Sequence, residues 1–130
     1  MTGRVSRVSL LAAMLLLAPA AQARTALGEL PSQMLGVWGF SAEDCTDEDS
    51  DGRVVVQARA VSFFAATFKL RSISRLADGR LRAATRRFDE GEPRIPRDTL
   101  ELKLLSSDRL SIRSGREGAV TYERCRGGPH

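Results

Sequence analysis

Asparagine is absent from this chain of 130 residues, histidine and tryptophan occur once each, and cysteine occurs twice. Each scarcity excludes something. With His130 as the only imidazole, no Ser-His-Asp or Cys-His arrangement is available, and no histidine-based zinc site. Neither Cys45 nor Cys125 has a second cysteine or a histidine close by, which excludes a local redox or metal-binding motif. Lysine is also scarce: eighteen of the twenty basic residues are arginine. An arginine-rich chain with abundant alanine and glycine reflects genome composition more readily than a nucleic-acid partner, so the pI of 9.8 carries little functional weight. Aromatic residues make up only 5% and do not interleave with the arginines, so no nucleic-acid partner is expected.

The longest apolar run, residues 8–18 (VSLLAAMLLLA), is about half the roughly twenty residues that a membrane-spanning helix needs. Arg4 and Arg7 precede it, no acid occurs before Glu29, and Ala21-Gln22-Ala23 follows Pro19. A basic start, a short apolar run and small residues at −3 and −1 are the pattern of a secretory signal peptide cleaved after Ala23. The expected mature chain is periplasmic or secreted, has 107 residues with a formal charge of +2, and forms one domain without a membrane span. In an oxidising compartment Cys45 and Cys125 are expected to form one structural disulfide closing a long loop.

Downstream of residue 34 the pattern is one of short strands and turns. Residues 35–40 (LGVWGF) and 53–57 (RVVVQ) read as strands. Residues 61–70 place Phe64, Ala66, Phe68 and Leu70 on one face at a period of two. The same strand continues to Leu76, and its apolar face switches parity near Ser72, which predicts a bulge. Asp78-Gly79 reads as a two-residue hairpin leading into a return strand over 80–88. Residues 89–98 carry two prolines and a glycine and form a loop. Leu100, Leu102 and Leu104 then alternate with outward Thr99, Glu101 and Lys103. Residues 109–113 return with Leu110 and Ile112 inward, and 119–125 close with Val120 and Tyr122 on one face. About seven or eight strands with short connections predict an all-β, small antiparallel up-and-down barrel, with an open β-sandwich as the alternative. The expected layout is a flexible segment over 24–33, the barrel over 34–126, and a disordered tail over 127–130.

Gly36-Val37-Trp38 resembles the G-x-W signature that opens lipocalin-type barrels. That resemblance implies that Trp38 plugs the closed end and that Arg124, from the terminal Tyr122-Glu123-Arg124-Cys125, packs over its ring. The same opening is similar to that of small bacterial periplasmic inhibitors of metallopeptidases, in which an N-terminal trunk enters the protease cleft; residues 24–33 would correspond to that trunk. The layout also resembles that of small exported bacterial proteins with no assigned function. A plain core role for Trp38 is the competing reading.

Two charge features complete the reading. Residues 47–52 (DEDSDG) match the first half of a calcium loop, with Asp47, Asp49 and Asp51 as candidate ligands for a weak structural calcium. The match fails at the twelfth position, where Ala58 stands for the bidentate glutamate, so a solvated acidic loop is the competing reading. Residues 69–87 carry seven bases against Asp78 alone, and Arg71, Arg75, Arg80, Arg82, Arg86 and Arg87 form a candidate basic patch. Such a patch suits phosphate, an acidic protein face or simple solvation. Asp89, Glu90 and Glu92 share one loop, with nothing to mark them as a catalytic pair. The sequence therefore predicts a monomeric, non-catalytic exported binding module for a small apolar ligand or a protein partner. Inhibition of a secreted hydrolase through residues 24–33, or a structural envelope role without ligand, are the alternatives. Beyond weak calcium, no cofactor is expected.

Overall fold

A computed structural model describes residues 2–3, 14–16 and 24–126. Its strands are β1 (Thr25–Leu27), β2 (Gly36–Gly39), β3 (Arg53–Gln57), β4 (Ala60–Phe63), β5 (Ala66–Arg75), β6 (Leu81–Asp89), β7 (Arg97–Ser106), β8 (Arg109–Ser114) and β9 (Val120–Arg124). From β2 to β9 each strand pairs antiparallel with the next, and β9 pairs back onto β2 through Trp38↔Arg124 and Gly39↔Glu123. The result is a closed eight-stranded barrel, which excludes the open sandwich. Closure removes the unpaired strand edges that a sheet of this length would otherwise present.

Alternation fills the interior. Trp38, Val54, Val61, Leu81, Leu100, Leu102 and Leu110 are completely buried, and Val56, Phe68, Leu70, Ile73 and Ile112 nearly so. Each such leucine contributes roughly 2 kcal/mol of apolar burial. The parity switch expected near Ser72 is a β-bulge between Leu70 and Ser72, where β5 slips its register on β6. It keeps Leu70 and Ile73 both inward, although they are an odd number of residues apart.

Three expectations need correction. The long strand expected from residue 61 is two strands, because the chain reverses at Phe64-Ala65 and Phe63 pairs with Ala66. Phe63, rather than Phe64, takes the inward position, and Phe64 stands at the turn, about half exposed. The connection at Asp78-Gly79 has three residues, not two. Leu76 and Arg80 pair across it, and Gly79 takes the left-handed conformation (φ +87°) that ends this type of loop. The segment over 24–33 is built into the fold rather than free. β1 pairs with β5 through Thr25↔Arg75, Ala26↔Ser74 and Leu27↔Ile73. The Leu30 side chain is buried, and its N–H donates to the carbonyl of Ala58 at 2.8 Å. Most of the expected signal peptide over 1–23 and the tail over 127–130 lie outside the described residues; within the former, Met14, Leu15 and Leu16 are almost fully exposed. Among the described residues no helix is long and apolar enough to cross a membrane.

Candidate binding site at the barrel mouth

The two ends of the barrel differ. One end is plugged. A short 3₁₀ turn over Ser32–Met34 folds Met34 across it, and the Trp38 indole N–H donates to the Met34 carbonyl at 3.0 Å. Arg124 covers the ring, with its guanidinium carbon 4.2 Å from the ring centroid. The same guanidinium donates to the carbonyls of Leu35 and Ser107 at 3.0 Å each, and to that of Gln33. Three separate chain segments are therefore tied through one cation. Glycine at position 36 is required by its backbone, whose φ of +126° would strain any side chain. Trp38 and Arg124 thus stack on one another at the plugged end.

Beside this end the Cys45–Cys125 disulfide fastens the loop between β2 and β3 to the residue that follows β9. That loop is organised by Asp44. Its carboxylate accepts the Ser41 backbone N–H at 2.9 Å and the Ser50 hydroxyl, and the Ser50 bond foremost holds its pKa below the ordinary 3.8. A methyl at Gly52 would sit 2.5 Å from Asp44 Oδ2, so glycine is what lets the carboxylate lie on the backbone. Asp47, Asp49 and Asp51 are not drawn together. All three are exposed, Asp47 accepts the Asp49 backbone N–H at 3.0 Å in a local turn, and no group of three metal-ligating side chains converges among the described residues. The half-motif departs from calcium geometry because a short helical turn and a strand flank it, so the loop closes on Asp44.

The other end is open. A cavity of about 260 Å³ is walled there by Phe63, Ala66 and Phe68 from β4 and β5, Ile112 from β8, and Val120 and Tyr122 from β9. Phe63 meets Phe68 edge-on with centroids 5.4 Å apart, and Phe40 stacks on Tyr122 at 4.8 Å. Burial raises the Tyr122 phenol pKa above 10.0, so the wall is neutral at ordinary pH. Polar groups stand at the rim: Arg87, Ser114 and Glu117. Arg87 lies over the Phe68 ring at 5.5 Å and is held by Asp89 at 2.6 Å, with Asp98 at 4.0 Å.

The six arginines of the basic patch are dispersed by the barrel. Arg87 points into the mouth. Arg80 and Arg82 bind the Glu101 carboxylate on the outer wall, each at 2.8 Å, and Arg113 joins them at 3.4 Å. Arg71, Arg75 and Arg86 are exposed. Glu101 faces outward, as its alternation predicts, yet it is only 6% exposed because guanidiniums from the β5–β6 turn, β6 and β8 cover it. Sequence alone gives no sign of this, since Arg80 and Arg82, Glu101 and Arg113 come from three separate segments. The mouth was equally hidden: its lining comes from five strands and two turns, with no local motif. No family profile, curated protein sequence or solved structure matches the chain.

Proposed function

We propose that this chain is a non-catalytic, exported binding module that takes a small amphipathic ligand at the open mouth of its barrel. The observation that carries the reading is the one-ended cavity. Its wall is aromatic and aliphatic, its rim holds Arg87, Ser114 and Glu117, and the barrel beneath it is filled. A volume of about 260 Å³ falls just below the ~300–1,000 Å³ of typical small-molecule sites, so the ligand inserts only a short apolar part. Arg87, held over the Phe68 ring by Asp89, offers its remaining N–H donors to a polar head group at the rim. The closing Trp38–Arg124 pair supports kinship of design with lipocalin-type barrels. Export to the periplasm or beyond is supported by the disulfide and by exposed Met14–Leu16, which add nothing to the core. Inhibition through residues 24–33 has less to rest on, because β1 and Leu30 are engaged in the fold.

Titration of the oxidised chain over 24–130 with anilinonaphthalene sulfonate, an anionic apolar fluorophore, tests this. Saturable one-to-one binding is expected. It should weaken on the order of tenfold in Arg87→Gln, through loss of a charge-assisted contact, and more in Ser114→Trp, which fills the mouth. Unchanged binding in a Ser114→Trp variant whose melting temperature holds would overturn the reading.

A further inference from the structure

On the outer wall, away from the mouth, Lys69, Arg86 and Arg97 stand directly opposite one another on three adjacent strands. The register pairs Lys69 with Arg86 across β5 and β6, and Arg86 with Arg97 across β6 and β7. All three are exposed. Like charges placed directly opposite on a sheet face repel, and the cost is ordinarily relieved by an acid on a neighbouring position. Here none of the acids nearest in the chain, Asp89, Glu90, Glu92 and Asp98, forms an ion pair with any of the three. Asp89 binds Arg87, Asp98 turns inward towards Arg87 and to the Thr99 backbone N–H, and Glu92 faces the Arg94 backbone N–H. Among the described residues none of the three cations has an ion-pair partner; Lys69 leans over the Phe88 ring at 5.0 Å. The contrast lies four residues away on the same strand, where Arg82 and its cationic neighbours enclose Glu101.

We propose that Lys69, Arg86 and Arg97 form a binding site for phosphate groups, separate from the mouth. Two guanidiniums side by side present forked donors that match the oxygens of a tetrahedral oxyanion, and the ammonium adds a third charge. Neighbouring strands are about 4.8 Å apart, so the row spans about 10 Å. That length suits one phosphate held between Arg86 and Arg97 and a second nearer Lys69, as in a pyrophosphate or in adjoining lipid head groups.

The test is binding of inorganic pyrophosphate by calorimetry, with sedimentation onto phosphatidylglycerol vesicles in parallel. Pyrophosphate binding with no vesicle binding supports a soluble phosphate ligand. Vesicle binding that pyrophosphate competes away supports a lipid head group. Arg86→Gln and Arg97→Gln should each weaken whichever binding is seen on the order of tenfold. Arg116→Gln, an equal change of net charge in the exposed turn before β9, should leave it within about twofold. Without phosphate, Arg86→Gln should melt no lower than the wild type, because it relieves repulsion. Absence of binding in both arms, or equal loss in Arg116→Gln, would overturn the proposal.

Discussion

Glu101 is the residue whose surroundings set its chemistry most sharply. It sits on the solvent side of β7 and is nevertheless buried, with Arg80, Arg82 and Arg113 as its cover. The Arg82 hydrogen bond foremost, aided by the charges of Arg113 and Arg80, holds its pKa below the ordinary 4.5. A carboxyl with a lowered folded-state pKa stabilises the fold above its unfolded value. Its contribution is therefore complete above about pH 5 and fades as pH falls through the folded-state value. Glu101→Gln leaves three guanidiniums facing a neutral amide. The expected loss at pH 7 is about 1–3 kcal/mol; the lower part of that range is favoured because the arginines are roughly 40% exposed. Urea unfolding at several pH values checks this. The gap between wild type and variant should close as the pH drops below 4, and a gap independent of pH would mean that packing rather than charge holds the cluster.

Among the elements, the β4–β5 hairpin is the one whose local chemistry is least favourable. Ala65 holds φ at +60°, a left-handed conformation that costs an L-residue with a Cβ roughly 1 kcal/mol relative to glycine. The turn is tied down nonetheless, since the Ala65 carbonyl accepts the Glu90 N–H at 2.9 Å. Ala65→Gly should raise stability by about 0.5 kcal/mol once the extra freedom of glycine in the unfolded chain is allowed for, seen as a rise of a few degrees in melting temperature. A fall would mean that the Ala65 methyl contributes more than its backbone conformation costs. This turn also marks where the sequence stopped being legible. Turns are read from Gly, Pro, Asn and Asp, and a chain without asparagine gives the left-handed position here to alanine. Where apolar alternation was clean, as in β7 and β8, or its parity visibly changed, as at Leu70/Ser72, strand and bulge were foreseeable. β1 was not, because three residues, Thr-Ala-Leu, carry no period and pair only because β4 leaves half of the β5 edge free. The mouth needed the closed barrel before its residues became neighbours.

For the whole molecule, the weakest seam is where the barrel closes. β2 and β9 share only two register pairs, extended by the Cys125 N–H donating to the Val37 carbonyl at 2.9 Å. The other strand pairs of the barrel share three or more. Beside that seam the chain places both the Arg124 guanidinium, tied to Gln33, Leu35 and Ser107, and the Cys45–Cys125 bridge. The bridge closes a loop with a sequence separation of 80, which in the chain-entropy view stabilises the fold by about 4.5 kcal/mol. A domain of this size commonly has only 5–15 kcal/mol in total, so reduction should consume a large part of it. The expected outcome of adding a reductant is a drop of well over 10 °C in melting temperature, with the paired Cys45→Ala, Cys125→Ala variant melting alike. Loss should begin at the seam. Hydrogen exchange of the reduced protein should accelerate first in β2 and β9 while the amides of β5 to β7 stay protected, because the longest ladders lie there. Uniform acceleration across all strands would instead mean that the bridge acts on the unfolded chain alone and that the seam holds without it.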